Sequence, residues 1–88
     1  MKTKPITYGD LAEFLEAAGF QRSVVPHSHV VFHRDDSPAS LLLPIERPTT
    51  HALPVHIAMA RRMLIDFGLV DEDSVDRWIG NPKHHQAV

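Results

Sequence analysis

The sequence predicts an α+β domain of order α-β-β-β-α, with a short helical addition at its C-terminal end. Three observations predict it. Apolar residues recur at a helical period up to residue 18, switch to a period of two between residues 20 and 45, and return to the helical period from residue 54. Gly19 and Gly68 stand where the two longer helices would stop. Short links rich in Pro, Asp and Ser separate the strand-like runs, so the strands should follow one another as an antiparallel meander.

Thr7 is the expected N-cap of a first helix over 8–18, and Asp10 completes a capping box three positions on. Leu11, Phe14, Leu15 and Ala18 form its apolar stripe, with Asp10, Glu13 and Glu16 outside it. A first strand is predicted over 20–25, stopped by Pro26, and a second over 29–34. In the second, Val30 and Phe32 share one face, while His29, Val31 and His33 share the other. Asp35-Asp36-Ser37-Pro38 reads as a turn, and a third strand over 40–45 closes near Pro44.

Residues 46–50 have no regular period. Pro54 suits the first turn of a second helix over 54–67. Its buried side reads as Ile57, Ala60, Leu64 and Phe67, flanked by Met59 and Met63. Asp71, Glu72 and Asp73 occupy the positive end of a last helix over 72–79, with Trp78 as its expected anchor against the sheet or the second helix. Residues 1–79 make a single domain on this reading, and 80–88 a flexible tail. Two amphipathic helices cover one sheet face and leave the other to solvent. Strand parity puts His29 and His33 on that open face.

Composition narrows the function classes. A chain of 88 residues and 9.9 kDa supports one thin core, and 43% hydrophobic with 23% charged residues is an ordinary globular mixture. The absence of cysteine excludes a disulfide, a thiolate metal centre and a cysteine nucleophile. No apolar run approaches the ~20 residues of a membrane span. The start, Met1-Lys2-Thr3-Lys4-Pro5, lacks the apolar stretch of a signal peptide, so a cytoplasmic domain without membrane association is expected.

Nine Lys and Arg against eleven Asp and Glu give a formal net charge of -2, unlike a strong nucleic-acid binder. The charges are unevenly spread, however. Residues 20–34 hold Arg22, Arg34 and three histidines without a carboxylate, and residues 47–65 hold Arg47, Arg61 and Arg62, again without one. These stretches read either as a modest basic surface or as ordinary solvated faces.

Seven histidines are many for this length. His27, His29 and His33 share strand parity and present imidazoles along one stretch, as metal ligands or as solvated side chains. A metal site needs three or four donors, no cysteine can complete one, and only the fold could bring in Asp35 or Glu46. His51, His56, His84 and His85 receive no role.

The residues around His29 also resemble the HicA (YcfA-like) toxin family. The similarity runs through Gly19-Phe20 at the end of the first helix and Ser28-His29-Val30-Val31-Phe32-His33-Arg34. It continues through an aliphatic strand ending at Pro44 and a helix leading to Gly68-Leu69, covering about residues 7–79. The family consists of small bacterial mRNA-cleaving toxins with a double-stranded-RNA-binding-domain-like fold. The resemblance implies that His29 is the catalytic histidine, that Ser28 is the serine preceding it, and that Phe32 is the motif aromatic. It implies an endoribonuclease needing no metal or other cofactor, and a partner antitoxin of HicB type that covers His29. Ser28, Arg22, Arg34, Arg47, Arg61 and Arg62 are the candidate RNA-binding residues.

Two departures stand out. The family's glycine before the serine is His27 here, and its His, Gly and Lys after the third strand are replaced by Ile45-Glu46-Arg47-Pro48. The alternative expectation is therefore a non-catalytic module of the same fold that binds a protein partner through its sheet face. A simple RNA-binding domain is disfavoured by the net charge.

Overall fold

The computed structural model describes residues 5–80. The expected tail after Gly80, with His84 and His85, lies outside the described residues. The elements run in the order α1 (Tyr8–Ala17), β1 (Gln21–Val25), β2 (His29–Arg34), β3 (Ser37–Pro44), α2 (Pro54–Asp66) and α3 (Glu72–Gly80). The three strands form one antiparallel sheet in the order β1-β2-β3. This is the α+β meander that the alternating periods predict. Among the described residues, no helix is long and apolar enough to cross a membrane.

Local chemistry sets the helix ends. Thr7 and Asp10 close a complete capping box, each side chain bonded to the other's backbone N–H at 3.1 and 3.0 Å. The next orphan donors of that first turn, the Tyr8 and Gly9 N–H groups, are satisfied by the carbonyls of Thr50 and Pro48 at 2.9 and 3.0 Å. The apparently aperiodic loop after β3 is thus a strap over the start of α1. Gly9 permits it: a Cβ there would stand 2.9 Å from the Pro48 carbonyl oxygen.

Both longer helices end in Schellman geometry, with Gly19 at φ +96° and Gly68 at φ +66°. The chain reverses at Gly68 and lays Leu69 and Val70 against the core. Phe67 is left 49% exposed, so its expected core role passes to those two residues. Met59 is exposed as well, while Met63 is buried.

The core joins Leu11 and Leu15 of α1, Phe32 of β2, Leu41 and Leu43 of β3, Leu64 of α2 and Val75 of α3. Trp78 is buried in this core and lines the same small cavity as Ile57, Ala60 and Leu64 of α2, in keeping with its expected role as the anchor of α3. Its ring stacks on Phe14 of α1, with centroids 4.3 Å apart and planes at 18°.

The third strand begins three residues earlier than the turn signal suggested. Asp35 and Asp36 alone make the reversal, Arg34 pairs with Ser37, and a register irregularity at His33/Arg34 takes up the difference. Pro38 is tolerated inside β3 because β3 is an edge strand and can leave one side of its backbone unpaired. Ala39, Leu41 and Leu43 point to the core, whereas Pro38, Ser40 and Leu42 face outward.

Candidate functional site

The open sheet face is assembled by register. His29 lies between Val25 and Pro44, Val31 between Ser23 and Leu42, and His33 between Gln21 and Ser40. Phe32 points the other way and is 2% exposed, whereas His29 and His33 are half-buried. Each of these histidines has a serine on one ring nitrogen. The Ser28 hydroxyl is 2.6 Å from His29 Nδ1, and the Ser23 hydroxyl is 3.1 Å from His33 Nε2.

Engaging Nδ1 fixes the plane of the His29 ring and leaves Nε2 to exchange a proton with a substrate. Nε2 has no hydrogen-bond partner among the described residues. His33 has the reverse arrangement, its Nε2 being taken by Ser23.

The hairpin that presents Ser28 and His29 is unusual in one respect. The Ser28 N–H closes a turn on the Val25 carbonyl at 3.0 Å, with Pro26 and His27 as its central residues. His27 adopts φ +63°, the one non-glycine residue with positive φ among those described. Proline followed by a positive φ is the pattern of a type II turn, whose third position normally takes glycine. Position 27 is where the HicA-type motif has its glycine.

A left-handed conformation costs a side-chain-bearing residue roughly 1–2 kcal/mol, partly offset by the greater chain entropy of glycine. His27→Gly is therefore expected to stabilise the fold by up to ~1 kcal/mol, raising Tm by several degrees for a domain of this size. Thermal unfolding followed by circular dichroism checks it.

The arginines divide into groups. Arg22 reaches back to Glu16 of α1 at 3.1 Å. Arg34 shares the parity of Phe32 and so lies on the side away from His29; it grips Asp36 through two bonds of 2.8 and 2.7 Å, donates to the Ala18 carbonyl and sits over the Phe20 ring. Arg61 clasps α2 to α3 through Asp76 at 2.7 and 3.2 Å and Glu72 at 3.0 Å. Arg62 is exposed and pairs with Asp66 one turn on. Arg47 carries no ion pair among the described residues. The structure thus does not gather the five arginines around His29.

The Arg34 and Arg61 guanidiniums hold Asp36 and Asp76 below the ordinary carboxylate range through direct hydrogen bonds. A carboxylate depressed in the folded state favours folding above its unfolded pKa, and that contribution disappears as pH falls through the folded value. Tm should consequently drop below about pH 4, and less steeply in an Asp36→Asn/Asp76→Asn variant. A pH series of melting curves for both chains measures this.

No group of three or more His, Asp or Glu side chains among the described residues is placed to hold a metal ion. The site that forms is a pair of serine-oriented histidines on a solvent-facing sheet. No family model, curated protein or solved structure matches the chain.

Sequence reasoning missed two features. Tyr8 is a buried junction: its hydroxyl bonds His56 Nδ1 at 2.8 Å and accepts the Leu53 N–H at 3.3 Å, tying α1 to the start of α2. The other is an apolar groove of about 390 Å³ between α1 and the helix-facing side of β1 and β2.

Proposed function

We propose that the protein is a HicA-like endoribonuclease that cleaves mRNA in the cytoplasm with His29 as general acid–base group. A HicB-type antitoxin is its proposed regulator. The observation that carries this reading is the hairpin at residues 25–29. A left-handed residue stands where the motif has glycine, and it delivers a serine hydroxyl to Nδ1 of a histidine on an open sheet face.

The chemistry needs little more from the protein. The substrate's 2′-oxygen attacks the adjacent phosphorus, the bond to the 5′-oxygen breaks, and His29 Nε2 accepts the 2′ proton. The departing 5′-oxygen takes a proton from the imidazolium or from water, leaving a 2′,3′-cyclic phosphate. Positioned acid–base catalysis of this kind supplies roughly 10²–10⁴ of rate. Of the five candidate arginines, Arg47 is the one that carries no ion pair among the described residues and so can offer an unpaired charge to phosphate.

A second reading is favoured by a different observation. Arg22, Arg34, Arg61 and Arg62 are all occupied by carboxylates of the same chain. The three lysines lie outside the described residues, which leaves six arginines there against eleven acidic side chains. Such a surface suits a module that binds a protein partner through its sheet face and has lost catalysis. Induced expression separates the two readings. Growth arrest accompanied by transcript cleavage supports the nuclease, and normal growth of cells accumulating the folded chain supports the module.

A further inference from the structure

We propose that the groove between α1 and β1 is a docking site for an extended basic–apolar segment of a partner protein, which adds to β1 as a fourth strand. The surface lies on the helix side of the sheet, away from His29. It would exist whether or not the protein cleaves RNA.

The first argument is the state of the two sheet edges. β3 carries Pro38 and Pro44, which interrupt its capacity to template another strand. β1 contains no proline or lysine, is exposed along its whole length and, among the described residues, pairs only with β2. An unguarded edge of this kind offers a row of free backbone donors and acceptors to an incoming strand.

The second argument is what lies beside that edge. α1 does not cover the helix-facing side of β1. Val24 is 58% exposed there, and the groove continues over Val30, Phe32 and Leu43 against Ala12 of α1. A strand added to β1 would run about 4.8 Å away and turn alternate side chains to this side of the sheet. Those side chains would meet the apolar floor. The outward ones would lie beside Gln21, Ser23 and Val25.

Charge selects the occupant. Glu13, Glu16 and Glu46 rim the groove, and its one cation among the described residues, Arg22, is already bonded to Glu16 at 3.1 Å. Phosphates are repelled from such a rim, which argues against nucleic acid on this side. A second copy of the chain is disfavoured too. Antiparallel pairing of two β1 strands would bring two acidic α1 helices to the same side of the joined sheet. A segment alternating Lys or Arg with Val, Ile or Leu satisfies the edge, the floor and the rim together.

The test uses the full chain, labelled for amide NMR, and acetylated, amidated hexapeptides. Alternating Lys–Val should give saturable shifts centred on Arg22, Val24 and Glu13. Binding should weaken about tenfold or more for alternating Glu–Val and for a backbone-N-methylated Lys–Val peptide, as expected for loss of charge attraction or of edge hydrogen bonds. Val24→Lys should weaken Lys–Val binding about tenfold by like-charge repulsion while leaving the spectrum dispersed, because Val24 is exposed. Glu13→Gln/Glu46→Gln, at two exposed positions, should weaken it as well. The proposal is overturned by absent saturation, by equal binding of the Glu–Val peptide, or by shifts confined to the open face. It is also overturned if β1 amides shift with protein concentration alone, which would assign the edge to a second copy. RNA shifting the same amides would contradict it equally.

Discussion

Alanine in place of His29 is expected to lower RNA cleavage by two orders of magnitude or more while the chain remains folded. The loss follows from removing the group that accepts the 2′ proton, whose contribution is typically 10²–10⁴. The fold should tolerate the change, because His29 contributes to the open face rather than to the core, and such positions seldom matter by more than about 0.5 kcal/mol. His33→Ala is expected to have a smaller effect. Its Nε2 is held by Ser23, and it lies about 13 Å along the strand at ~3.3 Å per residue. Cleavage rates for wild type and both variants, at matched concentration and with folding verified, measure the difference. Equal activity of wild type and His29→Ala would remove the mechanism.

Phe32→Ala should produce the largest loss of stability, about 3–5 kcal/mol, by adding a cavity to the lost transfer energy of the ring. Phe32 is among the largest fully buried side chains and touches both the central core and the floor of the α1–β1 groove. Small domains have roughly 0.05–0.15 kcal/mol of stability per residue, so this is a large share of the total. A fall in Tm of roughly 15 °C or more is expected, given ~4–8 °C per kcal/mol. Chemical denaturation with an unchanged m-value would show that the loss lies in the folded core. A drop of under ~1 kcal/mol would mean that Phe32 is not the packing centre of the sheet.

The sequence made the helices legible because their boundaries are local chemistry. Thr7 with Asp10, Pro54, Gly19 and Gly68 each act within a few residues, and all four signals are realised in the structure. β2 was equally readable, since Val30 and Phe32 alternate with histidines and one face is buried. The start of β3 was not. Ser37 and Pro38 have turn-like preferences, and only the edge position of the strand makes them acceptable inside it.

Side-chain pairing over long separations was the other blind spot. The stretches without carboxylates around Arg22, Arg34 and Arg61 suggested free positive charge, but Glu16, Glu72 and Asp76 reach Arg22 and Arg61 from neighbouring helices, and Asp36 reaches Arg34 from the adjoining turn. Charge along a sequence does not map directly onto charge across a surface. His29 escaped this error because no acidic residue lies beside it in the sheet register. The conformation of His27 was not legible, because histidine adopts a positive φ only occasionally and here the turn imposes it.

The most direct test of the central claim is end-group analysis of RNA incubated with the purified wild-type chain in the presence of a chelator. A nucleophile supplied by the substrate requires 2′,3′-cyclic phosphate on one fragment and a 5′-hydroxyl on the other, with cleavage unaffected by the chelator. Fragments bearing 3′-hydroxyl and 5′-phosphate ends, or intact RNA from a folded protein, would contradict it.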